Sequence, residues 1–398
     1  FMRIAVIIVF LFAGVCSMAQ DPIQLIGRNT GKKLLSDGNE IRTFGFAQEI
    51  GENPGLPGPT LEVLEGDSVI IDFWNISQGA PHTIHLHGLD VDQQNDGVPH
   101  LSFEVHHMEH GFYRFKAPHP GTYLYHCHVV SSIHVQAGMF GLLIVRPAGG
   151  ENYTWDGGYN YWYESSLLMS EIDTIWHHDS VLLHEYDTTM EHHHVRIPKY
   201  KPQHFLVNGL GEQQLDDFKM TGIDEGNLYV RLTNIGYYGN RIIFPHAMNT
   251  RVIDSDGRPL PLEEVTDTVE VMPGERYGVI ASPDSAFVDY VLVQYFNLNT
   301  GVVENEQWVN VQIESAAGLN EKPESFIRVY PNPTQQFLNV EIGEYKAQIQ
   351  VLDVHGRTLM EDNIQGAQRL DVSGLPEGTY LLRIRSGLQL EYHPFIKQ

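Results

Sequence analysis

Short apolar runs, broken by glycine and proline turns, recur along most of this chain and constrain its fold more than any other feature. The chain has 398 residues, of which 37 are glycine and 21 are proline. In its first third, strand-type runs lie at 61–64, 68–74, 111–115, 122–125 and 141–145. Several short strands at such spacing predict an all-β fold built of β-sandwiches.

An internal repeat divides the chain further. Residues 226–234 parallel residues 66–75, which predicts a duplicated domain. Polar residues at 320–324 mark a linker before a third β-rich unit. The predicted organisation is a targeting segment 1–19, a first unit 20–148, a connector 149–203 rich in His and Tyr, a second unit 204–316, a linker 317–326 and a third unit 327–398.

The net charge and the cysteine and histidine content of the chain argue against nucleic-acid binding and favour a metal site. There are 50 acidic residues against 25 Lys and Arg, a formal net charge of −25. Such a surface repels phosphate backbones, so nucleic-acid binding is not expected. Two cysteines against 21 histidines favour a metal site over a disulfide scaffold.

The N-terminal residues have the form of a secretory signal. Arg3 precedes an apolar run from Ile4 to Val15, and Ala19 ends a small-residue cleavage site. Lipid attachment at Cys16 is the alternative interpretation, although Val15 is large for that motif. Cleavage after Ala19 leaves Cys127 as the one cysteine of an exported protein, and such a thiol calls for a reason.

Two histidine clusters carry the chemistry. Residues 81–88 read PHTIHLHG, and on a strand His85 and His87 point to the same face. The second cluster is Tyr125-His126-Cys127-His128, followed by His134 and Met139. There His126 and His128 share one face while Cys127 points to the other, so one strand serves two metal sites.

The ligand types favour copper over zinc. Two histidines, one cysteine and a weak axial methionine are the ligands of blue copper, and His82, Cys127, His134 and Met139 supply that set. Structural zinc is the rival, but it prefers more thiolates or a carboxylate and has no use for Met139.

These motifs, together with residues 53–60 (NPGLPGPT) and 96–99 (DGVP), resemble those of a multicopper oxidase. The resemblance covers roughly residues 41–314 and implies two tandem cupredoxin-like Greek-key β-sandwich domains. It implies copper as the cofactor, with these ligands: His82, Cys127, His134 and Met139 for type 1, His85 for type 2, and His87, His126 and His128 for type 3.

A two-domain, laccase-like class of that family has type 1 copper in its first domain. Its members are homotrimers with a trinuclear cluster between domain 1 of one subunit and domain 2 of the next. The resemblance therefore implies that a small-molecule or metal-ion donor gives electrons to type 1 copper. They would pass through Cys127 to His126 and His128, and O₂ would be reduced at the cluster.

The second unit departs from that pattern. Residues 258–260 and 273–280 resemble the family's second-domain signature. Where ligand pairs are expected, however, the chain has Phe244-Pro245-His246 and Val293-Gln294-Tyr295. His246 is the one candidate left of four expected ligands, and the cluster of this family takes eight histidines.

The remaining histidines lie in the connector and in a turn region of the first unit, and the connector histidines have two interpretations. The connector holds His177, His178, His184 and His192–His194, with Met190 nearby. It is a solvated loop that binds copper or zinc weakly, or it replaces the lost ligands through His192 and His194. His106, His107 and His110 fall in a turn region and are expected at the surface.

The third unit resembles a type A sorting domain of the type IX secretion system of Bacteroidota. The matching segments are 329–334 (VYPNPT), 351–357 (VLDVHGR) and 375–382 (LPEGTYLL). The resemblance implies a small β-sandwich recognised by that machinery, and release or cell-surface attachment after passage through the periplasm. A generic β-sandwich binding module is the alternative.

Three functions remain open on the sequence. The first is an oxidase that couples one-electron oxidation of a donor to O₂ reduction. The second is an electron carrier with type 1 copper alone, and the third is a copper-sequestering protein. Histidines 85, 87, 126 and 128 favour the first, because a carrier has no use for them. The losses in the second unit favour the second.

Overall fold

A computed structural model gives the structure of residues 22–149, 152–183, 197–315, 327–353, 357–386 and 389–398. The predicted signal segment with Cys16, the linker, and His184, Met190 and His192–His194 lie outside these described residues. We call residues 22–149 domain 1 and residues 152–315 domain 2. No helix among the described residues is long and apolar enough to cross a membrane.

Domain 1 consists of two four-stranded sheets. Alternating burial along its strands reflects the sequence pattern: Val69, Ile71 and Phe73 point into the core between more exposed neighbours. The sheet orders are β2-β1-β4-β6 and β3-β8-β7-β5. The strands are β1 (Ile23–Leu34), β2 (Glu40–Ala47), β3 (Leu61–Leu64), β4 (Ser68–Asn75), β5 (His85–His87), β6 (His110–Lys116), β7 (Gly121–His126) and β8 (Phe140–Arg146).

Two short helices lie beside domain 1. Helix α1 (Ser131–Ala137) is part of the connection from β7 to β8. Helix α2 (Asp179–Leu182) lies in the predicted connector, and its Val181 and Leu182 join the apolar core of domain 1. Cys127 and Met139 belong to the same core.

Domain 2 repeats this topology with extra edge strands. Its sheet orders are β10-β9-β12-β17-β14-β15 and β11-β19-β18-β13-β16. Strand β12 holds the place that β4 holds in domain 1, so the predicted duplication is seen in the strand order. The strands are β9 (Tyr163–Ile172), β10 (His204–Val207), β11 (Lys219–Ile223), β12 (Leu228–Asn234), β13 (Gly239–Ile243), β14 (Thr250–Ser255), β15 (Arg258–Val265), β16 (Thr268–Val271), β17 (Arg276–Ala281), β18 (Phe287–Phe296) and β19 (Val303–Glu314).

The stretch 149–203, expected to be a connector, contains a strand that pairs within domain 2. Strand β9 lies within the stretch 149–203 and pairs in parallel with β12. Its last six residues are all buried, because Leu167 and Met169 face the core of domain 2 while Leu168 and Ile172 pack in an apolar cluster shared with domain 1. A strand buried on both faces has no period-two pattern, which is why the sequence did not reveal it.

The third unit folds around its own core. Five strands form one sheet, with Leu338, Val340 and Phe395 among the buried residues that they enclose. Near the C-terminus Lys397 pairs with Thr334. The strands are β20 (Ile327–Tyr330), β21 (Phe337–Leu352), β22 (Thr358–Asp371), β23 (Gly378–Ser386) and β24 (Gln389–Lys397).

Candidate metal centres

The ligand candidates of domain 1 are placed by two neighbouring strands. Strand β5 pairs antiparallel with β7, which sets His85 opposite His126. Cys127 follows β7 at once, and His134 lies on α1. The sheet ladder therefore brings both sequence motifs to one end of the sandwich.

His82, Cys127 and His134 form a buried group. The Cys127 Sγ lies 3.6 Å from His82 Nδ1 and 3.2 Å from His134 Nδ1, and the two nitrogens are 3.3 Å apart. All three side chains are at most 1% exposed. The Phe44 ring packs on both imidazoles, with centroids 5.6 Å from His134 and 6.2 Å from His82.

Met139 is tied to this group through the backbone. The Cys127 N–H donates to the Met139 carbonyl at 3.0 Å, and the Met139 N–H donates to the His134 carbonyl at 2.9 Å. Its side chain is fully buried in the same core. Two imidazoles, one thiolate and a thioether are a donor set that suits type 1 copper, and the residues present therefore fit that metal.

Four histidines form a second group on the other side of Cys127. His87 Nδ1 lies 3.2 Å from His126 Nε2, and the His85 ring centroid is 5.1 Å from that of His126. The His128 ring lies edge-on to His85, with centroids 5.2 Å apart, and stacks on His126 at 5.9 Å. His85 is oriented by Asp96, whose carbonyl lies 2.7 Å from His85 Nδ1.

Burial keeps most of these imidazoles neutral. Desolvation lowers the pKa of His126 and of His134 to about 3, and that of His82 well below its usual value. The pKa of His87 falls to about 4, through burial first and then the positive charge of Arg276. A neutral imidazole keeps the lone pair that a metal ion needs, so these groups are prepared for binding at neutral pH.

Thr83 links the two groups, and sequence reasoning missed it. Its backbone N–H lies 3.5 Å from Cys127 Sγ, while its Oγ1 accepts a hydrogen bond from the His128 N–H at 3.0 Å. Its position between His82 and His85 in the first motif was the available signal. Hydrogen bonds around a copper-bound sulfur influence its redox potential.

Domain 2 of the same chain approaches His87 with Arg276 rather than a histidine. Arg276 is 4% exposed and pairs with Asp256 at 2.9 Å. Its guanidinium lies over Gly88, where a Cβ atom would come within 1.9 Å of Nη2. Gly88 also has a φ of +87°, so both the space and the backbone require glycine there.

His246 is not brought to these groups. Its side chain is 96% exposed and forms an ion pair with Asp267 at 2.8 Å. Among the described residues, metal-ligand groups form only at His82, Cys127 and His134 and at His85, His87 and His126. The remaining expected ligand thus faces solvent in a single chain.

The other histidines have separate environments. His106 and His110 are exposed, and His110 pairs with Asp72 at 2.7 Å. His107 Nδ1 lies 2.8 Å from the Ser77 carbonyl. His177 is not in a solvated loop: it is buried, with Nδ1 2.7 Å from the Arg42 carbonyl.

Comparisons with known proteins identify the family of this chain. Residues 40–150 and 171–317 each match the multicopper oxidase family, and residues 328–398 match a secretion system C-terminal sorting domain. Copper resistance protein A of Pseudomonas syringae pv. tomato is 39% identical over 107 residues, which are 26% of this chain and 17% of that protein. L-ascorbate oxidase of Cucurbita maxima is 26% identical over 293 residues, which are 63% of this chain and 47% of that protein.

The chain spans less than half of the length of these two curated relatives. Among solved structures, the blue copper oxidase from Nitrosomonas europaea aligns with a TM-score of 0.57 at 25% identity. That alignment covers 75% of this chain and 87% of the other. The all-β fold with two cupredoxin-like sandwiches is thereby confirmed. The two consecutive matches span both sandwiches and the third match spans the last unit, so the chain belongs to the multicopper oxidase family and ends in a secretion-system sorting domain.

Proposed function

We propose that this protein is an exported oxidase that takes single electrons from a small-molecule or metal-ion donor and reduces O₂. The observation that carries the proposal is the pairing of two ligand groups on either side of Cys127. Copper bound at the two groups would supply the one-electron redox chemistry and the reaction with O₂. His82, Cys127, His134 and Met139 would hold type 1 copper.

Cys127 gives the two groups a short covalent connection. It is bonded through the backbone to His126 and His128, whose rings belong to the four-histidine group. Among the candidate ligands of that group, His85 would hold type 2 copper, and His87, His126 and His128 type 3 copper. A carrier with type 1 copper alone would gain nothing from four such side chains facing one another.

The four-histidine group needs further side chains that close it from outside, and we call these side chains its second wall. His85, His87 and His128 are partly exposed, and such imidazoles bind copper weakly unless further groups close the site and fix the rings. Because His246 points to solvent in one chain, it would act on a neighbouring copy, as in a homotrimer. His192 and His194, outside the described residues, are further candidates for that wall.

Copper content and O₂ consumption test this proposal. We expect about four copper ions per chain, and O₂ uptake with a reducing substrate. His246→Ala should lower both quantities and leave the type 1 visible absorption intact, because no type 1 ligand changes. The double variant His192→Ala/His194→Ala tests the alternative wall. If neither variant changes copper content or O₂ uptake, the proposed cross-subunit site is wrong.

An electron-transfer protein is the second candidate. The approach of Arg276 to His87 favours it, because a positive charge beside this imidazole opposes the binding of a metal cation there. One copper per chain, with blue colour and no O₂ consumption, would select this function. Copper sequestration through the connector would instead appear as several weakly held ions without an intense visible band.

We also propose export through the periplasm by a type IX secretion system, after removal of residues 1–19. The match of residues 328–398 to a C-terminal sorting domain supports this route. Deleting residues 327–398 should leave copper binding unchanged and hold the protein in the periplasm, because that unit has its own core and contains no proposed copper ligand. Normal levels of the truncated protein in the medium would contradict the sorting role.

A further inference from the structure

We propose that domain 2 positions the type 1 ligand His134, by holding helix α1 from outside through Tyr237 and Gln136. The inference rests on the proposed type 1 site. It assigns a role at that site to a domain whose described residues form no metal-ligand group of their own.

Helix α1 is too short to fix its own position. It has seven residues, from Ser131 to Ala137, and no side chain caps its N-terminus. Helices below about 12 residues are marginal in water, so their stability comes from packing. Left-handed residues at both ends, Val130 and Gly138, allow the backbone to turn sharply into and out of the helix. The position of α1, and of the imidazole on it, therefore depends on what it contacts.

The helix has two faces with different partners. Ile133 and Ala137 lie in the core of domain 1, on the side of Cys127. Val135 points away from that core and packs in an apolar cluster with Ile172 and Ile235 of domain 2. His134 is thus fixed between its copper-site neighbours on one side and domain 2 on the other.

Gln136 forms hydrogen bonds that connect the C-terminal half of α1 to domain 2. Its Nε2 donates to the Glu171 carbonyl at 2.8 Å and to the Tyr200 hydroxyl at 3.1 Å. Its Oε1 accepts from the Asp173 N–H at 2.7 Å. The side chain is 6% exposed, so water cannot replace these three hydrogen bonds when they are lost.

Tyr237 forms a hydrogen bond that connects the N-terminal half of α1 to domain 2. Its hydroxyl donates to the carbonyl of Ser132, two residues before His134. Tyr237 is itself held firmly, because its N–H donates to the Glu171 carboxylate, which also accepts from the Tyr200 hydroxyl at 3.0 Å. Tyr237 and Tyr200 pack edge to face, with ring centroids 5.1 Å apart.

Domain 2 therefore forms hydrogen bonds to α1 at Ser132 and at Gln136, two residues before and two residues after His134. Groups that orient a metal ligand commonly change metal affinity 10- to 100-fold when removed. Removing the hydrogen bonds of either Tyr237 or Gln136 should therefore speed the loss of type 1 copper. It should also shift the visible spectrum and the reduction potential of that copper, although the ligands themselves do not change.

The test compares Tyr237→Phe and Gln136→Met with Tyr238→Phe. Tyr238 is the matched control, because it lies in the same turn but its hydroxyl bonds to Glu304 and Asn297 instead of α1. We expect copper transfer to a chelator to become about tenfold faster in the first two variants. Their visible band and reduction potential should shift, while Tyr238→Phe stays within about twofold of the wild type.

The outcomes separate this inference from the proposed function. If the copper-loaded wild type has no intense visible band, the type 1 site itself is wrong. If the wild type is blue and the two variants keep its band, potential and copper-loss rate, domain 2 does not position His134. Loss of unfolding stability with an unchanged potential and band would mean that the contacts are structural only, and would also overturn the inference.

Discussion

Domains 1 and 2 share one strand topology but use its equivalent positions differently. In domain 1, His85 opens β5 and faces His126 at the end of β7. In domain 2, Gly239 opens β13 and faces Phe296 at the end of β18. A Cβ on Gly239 would come within 2.3 Å of the Phe296 ring, so packing has taken the place that imidazoles hold in the first copy.

The loops that follow these strands differ as strongly. Between β7 and β8, residues 127–139 supply Cys127, His128, His134 and Met139. Between β18 and β19, residues 297–302 form a loop of about half that length. A tight turn has no room for a helix or for the ligands on it. This long loop, together with His82, His85 and His87 in and before β5, distinguishes the candidate ligand groups of domain 1 from the same positions in domain 2.

Several buried polar residues of domain 2 instead contact domain 1 at the interface between the two domains. Arg231 is 2% exposed and donates to Thr122 Oγ1 at 2.8 Å, on the strand that ends in His126. It also pairs with Glu164, which binds Arg146 of domain 1 at 2.8 Å. The two copies therefore differ in what their polar residues contact: those of domain 1 form the candidate ligand groups, and those of domain 2 bind domain 1.

Removal of the Cys127 thiolate is expected to have the largest effect. Cys127→Ser should abolish the intense visible absorption of the copper-loaded protein, because serine cannot supply a thiolate ligand. Asn297 follows β18 as Cys127 follows β7, so Asn297→Ser is the matched control and should keep the colour. A wild type that binds copper without this band, or a coloured Cys127→Ser variant, would contradict the type 1 assignment.

The interface role of domain 2 predicts a large loss of stability in Arg231→Met. The change removes the buried cation of this pair and leaves Glu164, whose side chain is 20% exposed, with one cation instead of two. Breaking a fully buried ion pair costs about 3–5 kcal/mol, which is the upper limit for this pair. Urea unfolding measures the effect. Arg251→Met is the control, because Arg251 and Glu263 form a more exposed pair, 46% and 28% exposed, worth about 0–1 kcal/mol. Equal effects of the two variants would show that the interface network does not brace domain 1.

The same network predicts an acid dependence. Arg231 and Arg146 lower the pKa of Glu164 to about 2, against the burial that would raise it. A lowered pKa stabilises the fold above the unfolded-state value near 4.5, and this stabilisation is lost as pH falls towards 2. We expect Glu164→Gln to be less stable than the wild type at pH 7, with roughly 2 kcal/mol of that difference lost by pH 3. A difference that does not change with pH would contradict the ion-pair account.

The smallest expected effect concerns the axial ligand. Met139→Leu should keep the blue colour and raise the reduction potential, because it removes a weak donor that favours Cu(II). Met169→Leu in the core of domain 2 is the control, with a buried methionine remote from the ligand group, and should leave the potential unchanged. Loss of colour in Met139→Leu, or identical potentials in both variants, would remove Met139 from the site.

Local patterns in the sequence predicted much of the first domain. Strands β4 and β6 follow the period-two burial of their apolar residues, and the position of His85 and His87 on one face follows from strand geometry. Strand β9 escaped prediction because domain 1 covers its outer face. The role of Arg276 was not predicted either, since its approach to His87 depends on how the two domains dock.

The candidate ligand types and their spacing on strands β5 and β7 could be predicted from the sequence, because side-chain alternation acts over a few positions. The duplication and the sorting unit could also be predicted, since both are recognised from short segments of sequence. Tertiary structure alone decided that α1 is gripped by Gln136 and Tyr237, that His246 faces solvent, and that Thr83 joins the two groups. These depend on contacts between segments far apart in the chain, which packing of the two domains settles and no local pattern encodes.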